Sequence, residues 1–164
     1  MDPVAVVRSL FDAFNDGDLA RCAALAADDF ELFDAPSGRT FRGPAGLREW
    51  LSTFRTALPD ARTEVVSAHA EGEHVVTEHI GRGTHEGPFE TPSGTIPPTG
   101  RPVEIRIAEL YEVRDGKLAT MRAFYDTTTL MRQLGLLPPE GSGPDRAMTA
   151  LMGAGVRARR LVRR

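Results

Sequence analysis

The sequence holds one cysteine and no long apolar run, and these two absences exclude several classes of protein. Cys22 alone cannot form a disulfide framework, so nothing calls for an oxidising compartment. The first residues contain no basic segment followed by an apolar one, and no stretch approaches the length that spans a bilayer. We therefore expect a cytoplasmic protein.

Histidine is also scarce, and its spacing does not suit a metal site. The four histidines, at positions 69, 74, 79 and 85, lack H-x-H or H-E-x-x-H patterns. We predict no bound metal.

Charge is distributed unevenly along the chain. Residues 1–144 contain 14 basic and 22 acidic side chains, whereas residues 145–164 contain six arginines and a single acid. An acidic body argues against nucleic-acid binding, because phosphate backbones require a basic surface.

Helical patterns dominate the first third of the chain. Asp2 and Asp18 are suited to cap two helices, and Gly43-Pro44 starts a third whose apolar face includes Trp50 and Phe54.

After Pro59 the apolar period changes from helical to alternating. Residues 62–70, 74–83, 103–113 and 118–126 read as strands, with Gly72 and Asp115-Gly116 in tight turns. The loop 84–102 is long for a hairpin, and residues 127–135 form a short closing helix. The pattern predicts an α+β fold in which about three N-terminal helices cover a cone-shaped, curved antiparallel sheet and leave a pocket.

Several segments together resemble the SnoaL-like polyketide cyclases, relatives of ketosteroid isomerases and limonene-epoxide hydrolases in the nuclear-transport-factor-2-like superfamily. The segments are FDAFNDGD (11–18), AADDF (26–30), GPAGL (43–47), LPDAR (58–62), GTHEGPF (83–89), PPTGRPV (97–103), VRDGKL (113–118) and RAFYD (122–126). The resemblance implies a cofactor-independent cyclase or isomerase of natural-product biosynthesis, in one domain over residues 1–138. It also implies an apolar, polyketide-like substrate, and such sheets commonly pair into homodimers.

Asp126 is the first catalytic candidate. The resemblance implies that it is the general acid/base of an intramolecular aldol closure, and burial behind Phe124 and Tyr125 would raise its pKa. Alternatively, it caps the closing helix. Strand parity places Arg122 on the same face, where it either holds an enolate or pairs with Glu109 or Glu112.

Two further polar residues interrupt apolar strands. His79 falls in mid-strand, where it either polarises a substrate carbonyl or is an ordinary hydrogen-bonded sheet histidine. Glu109 interrupts the alternation of its strand and is either a pocket residue or a local edge effect. We expect substrate contacts, or simply core packing, from the apolar and neighbouring residues of the predicted pocket: Phe14, Phe33, Trp50, Phe54, Glu109 and Tyr125.

Two departures from the relatives leave alternatives open. The epoxide hydrolases carry Arg-x-Asp where this chain has His79-Ile80-Gly81, and cyclase-like relatives have a histidine where Phe33 precedes Asp34. A non-catalytic binding or assembly protein is therefore the second hypothesis. A third is epoxide opening or hydroxylation, which requires Glu109 to face Asp126.

Residues 139–164 form a linker and a basic, helical tail. Asp145 can start a helix that ends in an arginine cluster, whose cations would complement the helix dipole. The tail is either a solvated arm or a helix docking on a partner subunit. Contact with a carrier protein or a membrane surface is the weakest of the alternatives.

Overall fold

The computed structural model describes residues 2–91 and 94–162, which form five helices and eight strands. The helices are α1 (Pro3–Asn15), α2 (Leu19–Ala24), α3 (Gly43–Ala57), α4 (Thr127–Gln133) and α5 (Gly143–Val162). The strands are β1 (Ala26–Asp34), β2 (Arg39–Arg42), β3 (Arg62–Glu71), β4 (His74–Thr84), β5 (Phe89–Thr91), β6 (Gly94–Ile96), β7 (Pro102–Arg114) and β8 (Lys117–Tyr125).

Local sequence signals explain where these elements start and turn. The Asp2 carboxylate accepts the backbone N–H of Val4, and Asp18 accepts that of Arg21, so both predicted caps are confirmed. Asp115 and Gly116 both have positive φ angles, 52° and 75°. This is the primed turn that suits a tight hairpin between β7 and β8.

Six strands form one curved sheet in the order β2-β1-β8-β7-β4-β3. The long strands β3, β4, β7 and β8 pair with one another in antiparallel orientation, as predicted. The pairing of β1 with β8 is parallel. A hairpin forces antiparallel pairing, but β1 and β8 are distant in the chain and no turn fixes their direction. The α+β fold with a C-terminal helix is confirmed.

The loop between β4 and β7 contains structure that the sequence did not predict. It carries the short hairpin β5–β6, which forms a separate two-stranded sheet. The loop is attached to the end of α3, because the backbone N–H groups of Glu86 and Gly87 both donate to the carbonyl of Ala57.

The helices α1 and α3 cover only one face of the sheet, and the main core lies beneath them. Its fully buried members include Val7, Phe30, Leu32, Leu47 and Leu118. The opposite, outer face carries apolar side chains that stay 41–48% exposed: Phe33, Val76, Leu110 and Phe124. Whether this face binds a second copy of the chain stays a prediction.

The expected helix of the tail is present, but it begins at Gly143, and the Ser142 hydroxyl, not Asp145, accepts a backbone N–H of its first turn, that of Asp145 at 3.3 Å. Arg132 in α4 contacts Asp145 in the first turn of α5 at 3.3 Å. Leu151 and Met152 are largely exposed. The side chains of residues 155–164, which include most of the arginine cluster, lie outside the described residues, and the boundary at residue 138 stays a prediction. None of the described helices is long and apolar enough to cross a membrane.

Candidate active site

One cavity lies between the helical layer and the inner face of the sheet. Its wall is contributed by α1, α3, α4, the inner face of β4, β7 and β8, and the loop that follows β4. The volume of this cavity is about 110 Å³, measured as the space open to the centre of a water molecule. Its surface is almost entirely apolar. A concave apolar site with a few polar groups is the usual form of a small-molecule pocket.

Aromatic rings form much of this wall. The Phe54 ring centroid lies 5.0 Å from that of Trp50, 6.1 Å from that of Phe89 and 6.1 Å from that of Tyr125. These distances and the tilted or edge-on orientations are those that aromatic pairs prefer. The cavity therefore has a rigid side suited to a flat, ring-containing molecule.

Two ionisable residues on adjacent strands meet in the cavity wall. Glu109 on β7 lies directly opposite Thr77 on β4, so His79, two residues further along β4, shares the inward face with it. The His79 Nδ1 atom is 3.7 Å from Glu109 Oε2, and both side chains are almost fully buried. The Phe11 ring packs on the imidazole at 4.7 Å between centroids.

The environment keeps both members of this pair uncharged. Burial raises the pKa of the Glu109 carboxyl to about 8, and the Tyr111 hydroxyl, which donates to Oε2, opposes this only in part. Burial also lowers the pKa of the His79 imidazole to about 4. Near neutral pH the site thus holds a carboxylic acid beside a neutral imidazole, two groups whose pKa values have been pushed apart in opposite directions.

Four polar atoms of the cavity-lining residues are buried without a hydrogen-bond partner among the described residues. They are Trp50 Nε1, Thr63 Oγ1, His79 Nδ1 and His85 Nε2. Buried polar groups are normally paired, so unpaired groups around one cavity indicate positions where a ligand supplies the partner.

The model of the SnoaL-like polyketide cyclases matches residues 4–134. The chain belongs to that family. The resemblance predicted from the sequence segments is thereby confirmed.

Solved structures with the same fold come from several bacteria. IdmH of Streptomyces antibioticus, named as a candidate polyketide cyclase, is 29% identical, with 82% of this chain and 99% of that chain covered at a TM-score of 0.69. AclR of Streptomyces galilaeus, named as a candidate hydroxylase, is 24% identical to this chain. The match covers 84% of this chain and 98% of AclR, with a TM-score of 0.72. A candidate SnoaL-like polyketide cyclase from Jannaschia sp. CCS1 is also 24% identical. The match covers 83% of this chain and 93% of that chain, with a TM-score of 0.73. Among curated proteins, none matches the chain significantly.

Asp126, the catalytic candidate that the resemblance implied, lies outside the cavity of this SnoaL-like chain. It caps α4: its Oδ1 accepts the N–H of Thr128 at 2.8 Å, and its Oδ2 accepts the Thr129 hydroxyl at 2.6 Å. These hydrogen bonds lower the pKa of the Asp126 carboxyl. The expectation of a raised pKa is therefore wrong, because the side chain is exposed and its charged form is hydrogen-bonded.

Arg122 and Phe33 are also placed outside the cavity. They are partners in the β1–β8 register and lie on the outer face of the sheet, where Phe33 is 41% exposed. Glu109 projects to the inner face, so an Arg122–Glu109 pair is excluded. Epoxide opening or hydroxylation would require Glu109 to face Asp126. Because Glu109 lines the cavity and Asp126 lies outside it, the two carboxyl groups do not face each other.

The remaining predicted site residues line the cavity together. They are Phe14, Trp50, Phe54, His79, Glu109 and Tyr125. The prediction missed Tyr111, although it lies two residues after Glu109 and therefore on the same face. It also missed the buried Asp34, whose side chain is hydrogen-bonded to Tyr125. Burial and this carboxylate raise the pKa of the Tyr125 hydroxyl.

The described residues contain no group of three side chains placed to hold a metal ion. The chemistry that this site offers is that of its acid and its imidazole.

Proposed function

We propose that this chain is a cyclase or isomerase that acts on an apolar small molecule by acid–base catalysis, with Glu109 as the acid and His79 as the base. The observation that carries the proposal is the juxtaposition of a protonated carboxyl and a neutral imidazole, 3.7 Å apart, in the wall of an apolar cavity. Membership of the SnoaL-like family supports the reaction class.

The two oxygens of the Glu109 carboxyl have different roles in this proposal. The Tyr111 hydroxyl donates to Oε2, which leaves Oε1 to carry the proton. A proton-bearing oxygen in an apolar cavity can donate to a substrate carbonyl and stabilise the charge that develops there, as a protonated aspartate does in ketosteroid isomerase.

The proposed reaction transfers two protons and returns both. The His79 imidazole takes a proton from a carbon beside the carbonyl, while Glu109 gives its proton to the carbonyl oxygen, and an enol forms. The electron pair of the enol then attacks a second carbonyl carbon of the same molecule, which closes a ring. The enol proton returns to Glu109, and the imidazolium protonates the new alkoxide. Neither step calls for a cofactor.

The first half of this reaction can be tested without the natural substrate. The probe is 2-tetralone, a two-ring ketone whose α-protons exchange with D₂O, and the exchange is followed by proton NMR. We expect saturable acceleration that falls below about pH 4, where His79 becomes charged, and above about pH 8, where Glu109 loses its proton.

Three variants separate the possible bases. His79→Phe should abolish the acceleration, whereas Glu109→Gln should keep a hydrogen-bond donor and lose the decline at high pH. Asp126→Asn, which retains a good helix cap, is the matched control and should exchange like the unsubstituted protein. Loss of exchange in Asp126→Asn with full exchange in His79→Phe would overturn the assignment. Saturable binding with no exchange at any pH would favour the non-catalytic binding protein.

A further inference from the structure

His85 is the one buried histidine that the proposed reaction does not use. It follows β4 directly, is 1% exposed and contributes to the wall of the same cavity. Six residues separate it from His79, which corresponds to roughly 20 Å along an extended strand. Its aromatic neighbour is Phe89, at 6.4 Å between ring centroids and nearly perpendicular, in the smaller of the two core clusters.

Hydrogen bonds to Thr99 assign the tautomer of this imidazole. The backbone N–H of Thr99 donates to His85 Nδ1 at 3.2 Å, and the Thr99 hydroxyl oxygen lies 3.0 Å from the same atom. A backbone N–H can only donate, so Nδ1 is the acceptor and carries no proton. Burial lowers the pKa of His85, which favours the neutral ring. The proton is therefore on Nε2.

The position of this N–H group is fixed by the surrounding backbone. The His85 N–H donates to the carbonyl of Arg101, and the His85 carbonyl accepts from Gly100, both at 2.9 Å. With the backbone held on both sides and Nδ1 occupied, the ring has no freedom to turn Nε2 toward another partner. That atom is buried, and none of the described residues accepts its proton.

We propose that His85 determines specificity: its Nε2–H donates to a carbonyl or hydroxyl oxygen at the end of the substrate remote from Glu109 and His79. The substrate is then an elongated apolar molecule with an oxygen at each end, one held for chemistry and one held for position. This inference rests on the proposed function only in taking this cavity as the substrate site.

Two substitutions separate the donor from the structural role of the ring. His85→Asn places an amide oxygen near the position of Nδ1, so it can still accept from Thr99, but it has nothing at Nε2. His85→Gln reaches the position of Nε2 with an amide donor and gives up the contact with Thr99. The probes are biphenyl-4,4′-diol, which offers a hydroxyl to His85 from either end, and biphenyl, which has the same body without oxygens.

Binding is measured by quenching of Trp50, the single tryptophan of the chain and part of the cavity wall. We expect the diol to bind more tightly than biphenyl. His85→Asn should reduce this preference about tenfold, because one hydrogen bond in an apolar site has an effect of that size. His85→Gln should retain most of the preference. An unchanged ratio of the two dissociation constants in His85→Asn would overturn the proposal, because a purely structural histidine affects both probes equally.

A second measurement uses the unsubstituted protein, so its result does not depend on whether the variants fold. Long-range proton–nitrogen NMR of the imidazoles should show His85 protonated at Nε2, and the Nε2 signal should shift with the diol and not with biphenyl. A proton on Nδ1, or equal shifts with both probes, would refute the inference. Neither experiment involves turnover, so failure of the catalytic assignment to Glu109 and His79 would leave these results interpretable.

Discussion

The buried carboxyl of Glu109 should make the stability of the fold depend on pH. Its pKa is about 8 in the folded chain and 4.5 in the unfolded one. Between these values the folded state keeps a proton that the unfolded state has released, so the free energy of unfolding falls as pH rises. The stability linked to this proton is complete below pH 4.5 and is lost by about pH 8. At about 1.4 kcal/mol per pH unit, the loss is on the order of 5 kcal/mol.

His79 produces the opposite slope at lower pH. Its pKa is about 4 in the folded chain and 6.5 in the unfolded one, so its contribution is present above pH 6.5 and is lost as pH falls through 4. The two slopes oppose each other between about pH 4.5 and 6.5, where the lowered pKa of His85 adds to the rise from His79. From pH 6.5 to 8 only Glu109 contributes, which predicts a fall of about 2 kcal/mol in the free energy of unfolding.

Urea unfolding at half-unit steps from pH 4 to 9 tests this expectation. In Glu109→Gln the fall above pH 6.5 should disappear, and the rise driven by His79 should become visible from pH 4.5 to 6.5. Glu86→Gln, the same substitution at an exposed loop position, should follow the unsubstituted protein. Parallel curves for Glu109→Gln and the unsubstituted protein would refute the assignment of a buried, protonated carboxyl.

Four other substitutions test the fold around the site. Phe30→Ala should cost about 3–5 kcal/mol in urea unfolding because the ring is fully buried, whereas Phe33→Ala on the outer face of the same strand should cost far less; equal costs would contradict the assignment of faces. Asp126→Ala should lower the thermal midpoint by a few degrees through loss of the helix cap and leave tetralone exchange unchanged. Gly87→Ala would place its Cβ atom 1.9 Å from the carbonyl oxygen of Thr56, so the 84–102 loop should detach and become protease-sensitive; a stable, uncut variant would show that the loop accommodates the methyl group.

Strand parity separates the two faces of β8, but Arg122 and Asp126 were expected in the pocket and lie outside it, whereas Tyr125 lines it. Parity correctly groups Arg122 with Phe124 and separates both from Tyr125. It does not show which face the helices cover, and Phe124 is apolar although it is 42% exposed. An apolar residue on the uncovered face of a sheet looks the same in the sequence as one in the core, which is also why Phe33 was misplaced.

Glu109 could be identified from sequence because an acid interrupted an apolar alternation, whereas its relationship to His79 could not. Thirty residues separate the two, and only the register of β4 on β7 brings them to adjacent rows. The backbone of His85 is held by hydrogen bonds within its loop, and its tautomer depends on the contact with Thr99. Such contacts arise from tertiary packing and leave no local pattern.

The register of β7 on β8 places one small, buried side chain directly beside the acid of the cavity. Ala123 lies directly across from Glu109 on the inner face, and it is fully buried. Because the ladder is made by backbone groups, the identity of this side chain is free to change without altering the pairing of the strands. A carboxyl at this position would stand beside Glu109, and two such groups share protons instead of ionising together. The scaffold therefore offers an engineer, or natural selection, a single-residue route from an acid–imidazole pair to a diacid.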